Sequence, residues 1–107
     1  MKQALVEVSV LILFFNRPEP LKQVFAQVQK ARPSRLFLYQ DGPRSEKDMS
    51  GILACRDIVS SIDWECDVHQ LYQERNYGCD PSEFISQKWA FSHSDKCVVL
   101  EDDDVTA

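Results

Sequence analysis

Short unbroken apolar runs alternate along this chain with stretches in which apolar residues recur every three or four positions. The first rhythm belongs to buried strands and the second to one face of a helix. The series Val8-Ser9-Val10-Leu11-Ile12-Leu13-Phe14-Phe15 predicts a buried strand over 5–15 that stops at Asn16-Arg17-Pro18. Pro18, Glu19 and Pro20 suit the first turn of a helix, where proline loses no bond and an acid meets the positive end of the helix dipole. Leu21, Val24, Phe25 and Val28 follow at i, i+3, i+4 and i+7, with Lys30 and Arg32 at the carboxyl end and Pro33 as a stop. A second buried strand over 36–39 ends in the turn-forming sequence Gln40-Asp41-Gly42-Pro43. Ile52, Cys55, Val59 and Ile62 then repeat at helical spacing.

The third strand, 68–73, has only Val68, Leu71 and Tyr72 as strand-favouring apolar residues, which predicts an edge position. After the turn Asn76-Tyr77-Gly78, Asp80-Pro81-Ser82-Glu83 reads as an N-cap, a proline at the first helical position and an acid three residues after the cap. Phe84, Ile85 and Trp89 supply that helix with an apolar side. A last apolar run, Val98-Val99-Leu100, leads directly into Glu101-Asp102-Asp103-Asp104. The whole reads as βαβαβαβ, an α/β Rossmann-like fold on a mostly parallel sheet. Parallel strands end on one edge, so Asn16-Arg17, Asp41-Gly42, Arg75-Asn76 and the acidic stretch are expected to gather there.

Composition narrows the classes. A chain of 107 residues, 44% hydrophobic and 27% charged, fits a single domain over 1–107. Its net charge of -5 and lack of a basic cluster argue against a nucleic-acid partner. The four cysteines show neither a Cys-x-x-Cys pair nor zinc-finger spacing, and read as reduced thiols of a cytoplasmic protein. The first apolar run lacks a cleavage site and is shorter than the about 20 residues of a membrane span, which leaves at most peripheral contact with a membrane. The three glycines form no GxGxxG or P-loop pattern.

The acidic stretch is the candidate chemistry. Carboxylates about 4 Å apart repel by roughly 4 kcal/mol at an effective dielectric near 20, so an enclosed cluster calls for a cation. Oxygen ligands suit a hard divalent ion, Mn2+ or Mg2+, which completes its shell with water and substrate phosphate. A solvated acidic turn needs no ion, and the segment alone does not decide between the two. His69, in the weak strand, and His93, near a helix end, read as structural or solvated, so no general base is evident.

The strand ends Asn16-Arg17-Pro18 and Asp41-Gly42-Pro43, the turn Asn76-Tyr77-Gly78-Cys79, and Val99-Leu100-Glu101-Asp102-Asp103 together resemble the nucleotide-binding half of GT-A glycosyltransferases. They are most similar to bacterial nucleotide-diphospho-sugar transferases related to the N-acetylglucosaminyltransferase I group, whose acidic motif is Glu-Asp-Asp. The resemblance implies a base pocket at Asn16 and Arg17, and a base hydrogen bond to Asp41. It implies ribose contact by Asp102, metal coordination by Asp103 with Asp104 as the next candidate, and support from Glu101. Arg75 would approach the nucleotide. The implied activity is metal-dependent transfer of a sugar from a nucleotide-diphospho-sugar donor, with UDP as the expected nucleotide, to an acceptor the residues do not specify.

GT-A domains continue well beyond the acidic motif, so this chain is expected to be a truncated donor-binding half that catalyses little alone and could self-associate through its exposed edge. Three other readings compete. A phosphoacceptor signalling domain would want acids after the first strand, where Asn16-Arg17-Pro18 stands. A nucleotidyltransferase would want a glycine-rich loop there. A non-catalytic nucleotide-binding or interaction domain is the alternative that the sequence does not exclude, since it predicts nucleotide binding without sugar transfer.

Overall fold

A computed structural model describes residues 2–102. Strand β1 (Val6–Phe14) is followed by helix α1 (Pro18–Ala31), strand β2 (Pro33–Gln40), a short 3-10 helix (Glu46–Asp48) and helix α2 (Met49–Val59). Strand β3 (Asp67–Tyr72), helix α3 (Cys79–His93) and strand β4 (Val98–Glu101) complete the chain. The fold is α/β, with a sheet of order β3-β2-β1-β4 in which every pairing is parallel.

Strand alternation divides the core in two. Val10, Ile12, Phe14, Leu36 and Leu38 point to the face covered by α1 and α2, where they meet Leu21, Phe25, Val28, Cys55 and Val59. Leu11, Leu13, Phe37 and Tyr39 point to the other face, under α3, with Ala90, Ile85 and Trp89. That division follows from the strand order. The chain steps one way from β1 to β3, then returns past β1 to β4, so crossovers of one hand put α3 on the opposite face from α1 and α2.

Helix α1 buries Leu21, Val24, Phe25 and Val28, the stripe read from the spacing, and β3 lies at the sheet edge as its composition predicts. Three expectations need correction. Ile62 lies beyond α2, which ends at Val59, although it still packs partly buried against the core. Helix α3 starts earlier than Asp80: its N-cap is Gly78, at φ 89, and Ser82 N–H donates the first helical bond to the Gly78 carbonyl at 3.1 Å. Pro81 therefore sits among the opening residues whose N–H groups have no helical acceptor, so its missing donor costs nothing. The buried line of α3 is Ser82, Ser86 and Ala90, while Phe84 is 68% exposed. Small side chains bring this helix close to the sheet, and Tyr39 Oη lies 3.2 Å from Ser82 Oγ there.

Among the described residues, β4 pairs with β1 alone and forms the other edge. No described helix is long and apolar enough to cross a membrane.

Candidate functional site

The strand order makes β1 the point of divergence, with β2 on one side and β4 on the other. In open parallel sheets the crevice at the carboxyl ends of such strands is where ligands bind. A cleft of about 400 Å³ lies there, lined by Leu13, Phe14, Phe15 and Arg17 from β1 and its exit, and by Tyr39, Asp41 and Arg44 from β2 and its exit. Asn76, Gly78, Cys79, Ser82 and Glu83 line it from the start of α3, and Glu101 and Asp102 from the end of β4. The chain thus brings together three of its four expected segments directly, and the fourth through Asn76.

The β2 exit is the most heavily bonded part of the site. Asp41, 8% exposed, accepts hydrogen bonds from Gly42 N–H (2.9 Å), Tyr77 N–H (2.9 Å), Gly78 N–H (3.0 Å) and Asn76 Nδ2 (3.0 Å). Asn76 also donates to the Gly42 carbonyl at 2.9 Å. A carboxylate at the end of one strand thereby fixes the turn that starts α3. Gly42 must be glycine for a local reason: a Cβ there would come within 2.5 Å of the Arg75 backbone.

Behind the β1 exit, Asp48 is 6% exposed and holds Asn16 Nδ2 at 2.8 Å. It also accepts from Arg44, through the main-chain N–H at 2.8 Å, Nη2 at 3.0 Å and Nε at 3.2 Å. Those side-chain and main-chain bonds from Arg44, with the Asn16 amide, hold the carboxyl down to about 2, against the opposing cost of burial. Gln40, fully buried, donates through Nε2 to the carbonyls of Phe15 (2.8 Å) and Ile52 (3.1 Å) and accepts from Arg56 Nε at 2.7 Å. Its amide joins the β1 exit to α2. The Arg56 guanidinium covers the Tyr72 ring, 4.8 Å from its centroid.

At the β4 end, Asp102 N–H donates to the Leu13 carbonyl at 2.9 Å, which keeps the start of the acidic stretch against β1. The Cys55 thiol, pushed up to about 11 mainly by burial, also feels the negative charge of Asp102.

Of the sequence-predicted site residues, Arg17, Asp41, Glu101 and Asp102 line the cleft. Asn16 is engaged with Asp48 at its back. Arg75 does not line the cleft; its guanidinium lies over the Tyr77 ring at 4.9 Å. Asp103 and Asp104 lie outside the described residues. Among the described residues, no group of three or more His, Cys, Asp or Glu is placed to hold a metal ion.

Sequence reasoning missed Arg44, Asp48 and Gln40. The Arg44 to Asp48 spacing of four was visible as an ion-pair signal. Gln40, a long polar side chain closing a buried apolar strand, was visible as a group that must find partners. Tyr39, Cys79 and Ser82 carried no such signal. Comparison with protein-family models, with curated proteins and with solved structures found no match to this chain.

Proposed function

We propose that the cleft binds the nucleoside-diphosphate end of a sugar-nucleotide donor, and that this chain is the donor-binding part of a glycosyltransferase. The carrying observation is the cleft at the point where β2 and β4 part from β1, bordered by Arg17 and Arg44 at the β1 and β2 exits and by Glu101 and Asp102 at the end of β4. A ligand suited to that border has an anionic part and brings or tolerates a cation. Phe15, Tyr39, Leu13 and Phe14 add apolar and aromatic surface for a flat base.

The sheet order also separates this reading from a phosphoacceptor signalling domain. Such domains follow the 2-1-3-4-5 order, with the third strand beside the first. Here β3 lies beside β2, at the edge.

A divalent ion fits the chemistry of the donor set, since Glu101 and Asp102 bring only carboxylate oxygen to the cleft. Asp103, or Asp104, would hold Mn2+ or Mg2+ beside them. When bound, the ion would supply positive charge to the departing diphosphate. Asp102 would meet the ribose, and a base hydrogen bond to Asp41 would have to displace one of the four donors that already take two places at each of its oxygens.

Among the described residues β4 is an edge strand, and the 49% exposure of its Val98 supports self-association through that edge.

The test is calorimetric titration with UDP and GDP, with and without Mn2+, on the chain and on Asp103→Ala. Mn2+-dependent binding of UDP that the substitution abolishes is expected. A folded chain that binds neither nucleotide overturns the reading.

A further inference from the structure

We propose that Arg44, braced by Asp48, grips the diphosphate of the ligand, and that Asp48 is the positioning residue that aims it. The inference rests on the nucleotide reading above only for the base-bearing part of the ligand.

Three observations carry it. The Arg44 side chain lines the cleft and is 66% exposed, while the Asp48 side chain behind it is 8% exposed. Of the five N–H bonds of a guanidinium, Asp48 takes one from Nε and one from Nη2. That leaves three, and no other described residue accepts from them. Phe15 lies against the same group, with its ring centroid 5.2 Å from Cζ, which adds a second contact to the Asp48 bonds.

An exposed arginine ordinarily surrenders the entropy of a long flexible side chain when it closes on an anion. The two side-chain bonds to Asp48 take up part of that loss in advance. The main chain contributes to the same brace, because Arg44 N–H donates to Asp48 Oδ2 and Ser45 Oγ accepts from Lys47 N–H to hold the short 3-10 helix that carries Asp48. Asn16 fixes the other carboxylate oxygen at 2.8 Å.

Pairing with Asp48 does not cancel the attraction. An anion in the cleft meets the guanidinium at contact distance and the carboxylate only behind it, and planar N–H pairs match phosphate oxygens better than a point charge does. Arg17, at the β1 exit of the same cleft, makes no ion pair among the described residues and adds a second positive charge to its lining. Arg75, which the resemblance had approach the nucleotide, has its guanidinium over the Tyr77 ring instead.

The experiment titrates the intact chain with inorganic pyrophosphate, UDP and uridine, in Mn2+-containing buffer. Arg44→Ala should weaken pyrophosphate and UDP about tenfold or more and leave uridine unchanged. Arg44→Lys, which keeps the charge and loses the fork, should recover only part of the loss. Asp48→Asn should weaken UDP in the parent chain and have no further effect in the Arg44→Ala background; a merely structural role would lower both. UDP binding that ignores Arg44→Ala overturns the grip and leaves the nucleotide reading standing. Pyrophosphate binding that needs Arg44, without any binding of UDP or uridine, upholds the grip and overturns the nucleotide reading. A parent chain that binds none of the three overturns both.

Discussion

Asp41 and Asp48 are two acids of nearly equal burial, 8% and 6% exposed, a few residues apart after the same strand, and each carboxylate is bonded through both oxygens. Their partners differ in kind. Asp41 spends its oxygens on neutral N–H groups, chiefly from the turn 76–78, which is remote in sequence. Asp48 spends most of its oxygens on one neighbouring arginine that remains two-thirds exposed. A buried carboxylate satisfied by main chain fixes shape, whereas one satisfied by an exposed cation aims a charge. Equal burial therefore carries different consequences.

The contrast can be broken most severely at Asp41. Asp41→Ala would strip the acceptor from three main-chain N–H groups and the Asn76 amide at once. Hydrogen bonds to a charged group contribute about 1.5–3 kcal/mol each, and the expected loss, on the order of 3 kcal/mol, should appear as a lower urea midpoint with an unchanged slope. A loss under about 1 kcal/mol would mean that the turn holds itself.

Gly42→Ala tests the same junction from the other side. The added methyl would meet Arg75 backbone within 2.5 Å, so backbone must move, at about 1–3 kcal/mol by the usual cost of overpacking. Thermal unfolding would read it, and an unchanged midpoint would show that the two loops can separate freely.

Asp48 should give the smallest effect at neutral pH and a distinctive one in acid. Its carboxyl is lowered from 3.8 to about 2 by the Arg44 side-chain and main-chain bonds. A group lowered on folding contributes stability that is fully present above the unfolded value and is lost as pH falls through the folded one. The chain should therefore lose stability between pH 3.8 and about 2, and Asp48→Asn should lack part of that slope. Parallel acid profiles for the two proteins would remove Asp48 from the account.

Much of the architecture was legible because burial repeats with the period of each element. The stripe Leu21, Val24, Phe25 and Val28 needs only a helix of ordinary geometry and one apolar neighbour, so it was readable without knowing which neighbour. The third helix was harder for the same reason in reverse. Its bulky residues suggested one face, yet Ser82, Ser86 and Ala90 are the buried ones, because the sheet beneath leaves room for a close approach and not for Phe84. In the site, Arg17, Asp41, Glu101 and Asp102 were readable as polar residues at the ends of apolar strands. Arg44 and Asp48 stood in an ordinary polar loop, where charge alone does not say which groups turn inward.

What the sequence determined by itself was the succession of elements and the edge at which their polar ends meet, since hydrophobic period and strand direction are local properties of the chain. The neighbours were decided only by the tertiary structure. The return of β4 to the far side of β1 made a cleft of strand ends that were otherwise only consecutive, and Gln40, Asp41 and Asp48 acquired their partners from segments up to 37 positions away. A buried polar group must be satisfied, but which donor satisfies it depends on what the packed helices bring within reach.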